Sequence, residues 1–235
     1  MSITVLVGEG DVAEVLWERY NATFYIPAGR SSLMALYNLW KYVGEDGSIA
    51  AEVVVMSLPA AVQTFYENLD RLKGEDGPFV YIARELEDVM GGPVDVIVKD
   101  DITTIRHMGK PIWGAPLVVR ELAPLYLYVK ELLRPGVNLS VEFPEANLHP
   151  CVQVKVAEVL AKLVESGVNV AVVTHGEAFL WRLSHLARRG LRDKVKVFQI
   201  RGGQLEEVDI DNIPTLDEVY NWLYDESIKL RYKRE

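Results

Sequence analysis

The stretch from Asn138 to Val173 constrains the fold of this chain more than any other. Asn138 to Phe143 reads as a strand, and Pro150 suits the first position of a following helix. Val152, Val156, Val159, Leu160 and Leu163 recur at helical spacing, and Gly167 suits the residue just past the helix end. Val168 to Val173 is then a continuous, uncharged strand of the buried type. Strands that are apolar on both sides need cover on both faces, and a helix between them sets them parallel. The segment therefore predicts an α/β fold, a mostly parallel sheet flanked by helices.

The remaining chain fits that frame. Ile3 to Val7 reads as a strand followed by Gly8, Gly10 and a helix from Val12 to Tyr20. Thr23 to Ile26 is a strand stopped by Pro27, and Ser31 or Ser32 can cap a helix carrying Leu33, Leu36, Tyr37 and Trp40. Pro59 to Leu72 and Tyr81 to Met90 read as helices. Val94 to Lys99, Thr103 to Met108 and Pro111 to Trp113 read as short antiparallel strands, with a turn at Asp100-Asp101. Leu117 to Leu133 is a helix with Pro124 as its kink, and a further helix runs to Arg189. Lys194 to Ile200 and Leu205 to Ile210 form a hairpin about Gly202-Gly203, and Thr215 to Glu218 is a capping box. The expected organisation is one domain, with a core of 1–44 and 117–235 and a helical and antiparallel insertion of about 45–116.

Composition narrows the function. The chain has 235 residues, 49% hydrophobic, and a net charge of −9, so it offers no global basic field for nucleic acid or an anionic membrane. The basic end, Lys229 to Glu235, reads as a solvated helix face. No 18-residue uncharged stretch exists, which predicts a soluble, cytoplasmic protein. The single Cys151 excludes an internal disulfide and a cysteine-based zinc site.

Glu142, Glu145, His149 and His175 all fall at or just beyond the ends of the two apolar strands. In open α/β sheets that edge is where ligands bind. A carboxylate there suits Mg²⁺, and a histidine at the next strand end can reach a phosphate oxygen or serve as a structural residue. A metal-dependent hydrolase built on these four residues is an alternative, opposed by Pro144 and Pro150, which break the helix that would align Glu145 with His149. Arg30, Ser31 and Ser32 offer either an anion site at a helix start or an ordinary cap with Arg30 in an ion pair.

NLSVEFPEANLHP followed by VNVAVVTHG resembles the second half of an ABC-type ATPase head. The similar branch is that of AAA-like proteins related to the SMC and overcoming-lysogenization ATPases. YIPAGRSSL and GAPLVVRELAPLYLYVKELL resemble further segments of that branch, in the same order along the chain. The resemblance implies a P-loop fold. It makes Glu142 the Walker B acid near Mg²⁺, Glu145, Ala146, Asn147 and His149 the D-loop that faces a partner subunit, and His175 the switch histidine. Gly8 and Gly10 would be vestiges of the phosphate loop.

The departures are as informative. Phe143 stands where the family places the glutamate that polarises water, and a phenyl ring can neither accept a proton nor orient water. No lysine is followed by Ser or Thr, so the phosphate-binding G-x-x-x-x-G-K-[ST] is absent. The glutamine-loop segment is missing, and Gly114-Ala115-Pro116 replaces the signature element. RGGQ at Arg201 to Gln204 imitates that signature but reads as turn chemistry. The expectation is a catalytically degenerate ATPase-like scaffold or regulatory subunit, acting through a homodimer or a protein partner. Its cofactor is none, or ATP with Mg²⁺ held weakly. The alternative within the family is half of a split ATPase whose phosphate loop comes from a partner.

Overall fold

The computed structural model describes residues 1–8, 22–43, 59–99, 102–201, 204–212, 222 and 225–226. The expected helix from Val12 to Tyr20, Gly10, the Asp100-Asp101 and Gly202-Gly203 turns, the capping box and the basic end lie outside these residues.

The chain enters through strand β1 (Ile3–Gly8), then strand β2 (Phe24–Ile26) and helix α1 (Arg30–Val43). Helix α2 (Ala60–Asp70) follows, then two short helices, α3 (Val80–Ala83) and α4 (Glu87–Met90), joined through a 3₁₀ turn at Arg84–Leu86. Strands β3 (Val94–Lys99), β4 (Ile102–His107) and β5 (Lys110–Pro111) make a small antiparallel sheet. Helix α5 (Leu117–Leu127) leads to β6 (Asn138–Glu142), α6 (Pro150–Glu165) and β7 (Asn169–Val173). Helix α7 (Glu177–Leu186) and the hairpin of β8 (Val195–Arg201) and β9 (Gln204–Val208) complete the described order.

The main sheet has the order β2-β6-β7-β1-β8-β9. All its pairings are parallel except β8 with β9. The fold is thus α/β with a mostly parallel sheet flanked by helices, as the two apolar strands require. Val170, Ala171, Val172 and Val173 are consecutive and all 4% exposed or less, so both faces of β7 are covered. One apolar cluster runs from this sheet through Phe65, Leu69 and Leu86 to Val94, Ile105 and Ile112 beside the small sheet.

The start of α1 departs from the sequence reading for an identifiable reason. α1 begins at Arg30, with the Gly29 carbonyl accepting from the Ser32 and Leu33 amides, so neither serine is its cap. Ser31 is buried and Leu36 is 57% exposed, while Met34, Tyr37 and Asn38 turn inward. Pro124 does not end α5. It lies buried inside the helix, which widens into a π turn at Tyr128–Leu132 before stopping. A proline supplies no amide, but tight packing of Leu122, Tyr126 and Leu127 holds the helix across the missing bond. At the end of α6, Gly167 takes φ +97 as expected of the residue after a helix.

Candidate site at the strand ends

Because β2, β6, β7 and β1 run parallel, their C-terminal ends share one edge, and Glu142, Phe143 and His175 lie there. Register explains what Glu142 does. Tyr25 pairs with Ser140, and Glu142 lies two residues further on the same face of β6. From that register the Tyr25 hydroxyl donates to Glu142 Oε1. The Ala28 amide donates to Oε2 at 2.9 Å. Both oxygens of a carboxylate that is only 7% exposed are therefore committed to protein donors. Each oxygen keeps a second lone pair, so a cation held directly would share this buried carboxylate with the two donors.

Arg30 fixes the chain as it leaves β6. The side chain is 2% exposed and donates through Nη1 to the Glu142 and Phe143 carbonyls, each at 3.0 Å. Nη2 donates to the Pro144 carbonyl at 3.2 Å and Nε to the Glu121 carbonyl at 2.9 Å. Nε also lies 3.1 Å from Glu121 Oε2, an ionic contact rather than a second hydrogen bond. Burial pulls the guanidinium below its usual value, opposed by Glu121, Glu145 and Glu142, and it remains a cation. The guanidinium thus points inward, at the strand-end turn, with Ser31 buried beside it and Ser32 exposed.

Held in this way, Phe143 takes φ +42 and Asn147 φ +58, both in the left-handed region. Asn147 Nδ2 donates to Glu121 Oε1 at 2.9 Å, so one buried carboxylate braces both Arg30 and the far side of the turn. The Phe143 amide continues the ladder to the Val173 carbonyl, and its ring lies against the His175 imidazole. Glu145 Oε1 accepts from the His175 amide at 2.8 Å. The Glu145 side chain passes so close to Gly176 that a methyl group there would lie 2.6 Å from its Cγ. His149 begins α6 and accepts the Cys151 amide through Nδ1 at 3.3 Å. Ala146 is half-buried, and Asn147, His149 and His175 are exposed. Gly8 closes β1 on the same edge.

The structure brings together Glu142, Phe143, Glu145, Asn147 and His175 and turns His149 toward α6. Among the described residues, no group of three or more His, Cys, Asp or Glu is placed to hold a metal ion. Among the same residues, no helix is long and apolar enough to cross a membrane. Sequence reasoning missed Tyr25 and Glu121. Glu121 had a signal, an acid inside the apolar run of a helix, since such a residue is buried only when paired. Tyr25 had none without the strand register.

No protein-family model and no curated protein matches this chain. Among solved structures it is similar to a nucleotide-free ATP-binding cassette from an ABC transporter, with TM-score 0.47 and 9% identity over 93% of this chain and 87% of that one. An SMC head bound to the C-winged-helix domain of ScpA gives TM-score 0.41 and 11% identity over 80% of this chain and 55% of that one. CbiO1 from Clostridium perfringens, part of the ABC transporter complex cbiONQ, gives TM-score 0.41 and 13% identity over 99% of this chain and 85% of that one.

Proposed function

We propose that this chain is a catalytically idle ATPase-like domain whose working part is the surface of its strand-end turn. The observation that carries the reading is Phe143. It follows Glu142 at the sheet edge with its ring against His175, and a phenyl ring can neither accept a proton nor orient water. The burial of Glu142 under its Tyr25 and Ala28 donors supports the same reading, because it leaves little of the carboxylate open to a cation. So does the lack of any lysine followed by Ser or Thr. The insertion of about 45–116 belongs to this proposal as the addition that distinguishes the domain.

What is left to act is a rigid turn presenting Glu145, Ala146, Asn147 and His149. Its backbone is fixed from beneath by Arg30 and Glu121, so a partner would meet a preformed surface and little ordering entropy would oppose binding. The occupant we propose is a second copy of this chain or a protein partner presenting a matching turn. Sedimentation of the full chain over a range of concentrations tests this. The reading expects reversible association that His149→Ala with Ala146→Arg abolishes in a folded protein. Association unaffected by that pair, or a monomer at every concentration that hydrolyses ATP, would contradict it.

A further inference from the structure

A second buried carboxylate lies ten residues beyond Glu121 on the same helical run, and the strand-end site does not use it. Glu131, 5% exposed in the π turn that ends α5, accepts the Lys73 amide at 2.9 Å and the Gly74 amide at 2.8 Å, both on Oε2. These amides belong to the segment between Leu72 and Phe79, two buried apolar residues that bracket an exposed stretch. The segment has further ties to the same turn. The Gly77 amide donates to the Lys130 carbonyl at 2.6 Å, and Asp76 lies 3.9 Å from Lys130 Nζ. On its other side Gly74, at φ +76, lies against β3, where a methyl group would meet the Val96 carbonyl oxygen at 2.7 Å. Lys130 also reaches Asp95 of β3 at 4.0 Å.

We propose that residues 72–78 form a strap, closed on Glu131, that fastens the small antiparallel sheet to the helix bracing the strand-end turn. The segment's backbone thus ties β3 to Glu131 and Lys130, beside the direct apolar packing of the helical run against the small sheet. The strap is built to release, because Glu131 Oε1 is buried and makes no well-formed hydrogen bond, the Glu75 amide being the remaining backbone donor near the carboxylate. An unsatisfied carboxylate oxygen makes the closed state costly, whereas an open strap lets water reach it. The charged groups around it are Lys130 and Arg134 on its own run, Asp76 and Arg84 beside the segment, and Asp95 on β3.

Burial raises the Glu131 carboxyl above its ordinary 4.5, and the Gly74, Lys73 and Glu75 amides and Lys130 only partly offset this. A raised value in the closed state means that closure is favoured while the acid is protonated. That preference is full below the ordinary value and is lost as pH rises through the closed-state value. The strap therefore loosens with rising pH.

Amide hydrogen exchange on the full chain, corrected for intrinsic rates, reads this directly. In the unaltered protein, protection at Lys73 and Gly74 should fall as pH rises from about 4.5, while β7 amides stay constant. Glu131→Ala should reduce protection at Lys73, Gly74 and β3 by about tenfold or more with β7 unchanged, since both amides lose their acceptor. Glu131→Gln should keep the strap closed but abolish its pH dependence. Unprotected Lys73 and Gly74 amides in the unaltered protein, or pH-independent protection there, would overturn the proposal. So would a Glu131→Ala effect spread equally over β7.

Discussion

The Phe143 ring and the His175 imidazole lie with centroids 5.1 Å apart and planes inclined at 37°. The contact depends on an unfavourable backbone, since Phe143 has φ +42. Side chains other than glycine meet their own carbonyl there, at about 1–2 kcal/mol. Arg30 hydrogen bonds to the carbonyls on either side of the φ that has to be held.

This gives a test of the turn itself. Phe143→Gly should be more stable than Phe143→Ala by about 1 kcal/mol in denaturant unfolding, because glycine removes the left-handed penalty. In an ordinary strand the order would be reversed. Finding the reversed order would mean that the turn does not have this backbone.

Arg30 and Glu121 are 2% and 1% exposed, and each neutralises the other. Arg30→Met leaves Glu121 buried without its cation and should cost about 3–5 kcal/mol. Adding Glu121→Gln should recover part of that loss, because a neutral amide needs no counter-charge. Additive effects of the two changes in a double-mutant cycle would contradict the pairing.

Gly176 has an ordinary φ of −78, so its demand for glycine is steric. Gly176→Ala should displace the Glu145 side chain and break its bond to the His175 amide, costing about 1 kcal/mol. In Glu145→Ala protein the same change should cost almost nothing. An equal cost in both backgrounds would place the clash elsewhere.

Away from the site, Asp211 is held well below the usual carboxylate range by hydrogen bonds from Ser184, Arg192 and Arg188. A depressed native value contributes stability that is present above the unfolded value of 3.8 and is lost as pH falls below it. The arginines are more than half exposed or nearly so, and screening limits the effect to about 1 kcal/mol or less. Asp211→Asn should therefore flatten the acid limb of the stability curve, and high salt should do the same to the unaltered protein. An unchanged acid limb would contradict the assignment.

The parallel core was legible because burial on both faces makes β7 a continuous apolar strand, and the short hairpin strands were legible from their turns. The start of α1 was not. Arg30 looks like a surface residue beside two good capping serines, and only the carbonyls of a segment over a hundred residues away make it an interior one. The site was legible in position but not in wiring. Glu142 and Phe143 are read from their place after an apolar run, whereas the Tyr25 hydroxyl reaches Glu142 through a strand pairing that adjacent sequence does not encode.

The central claim is that the strand-end site is structural and takes no nucleotide on its own. Calorimetric titration of the full chain with ATP and Mg²⁺, at high protein concentration and with the oligomeric state followed in the same samples, tests it most directly. The account predicts no saturable heat at millimolar nucleotide. Saturable binding that Glu142→Gln or His175→Ala removes would contradict it, and would return both residues to service at a phosphate.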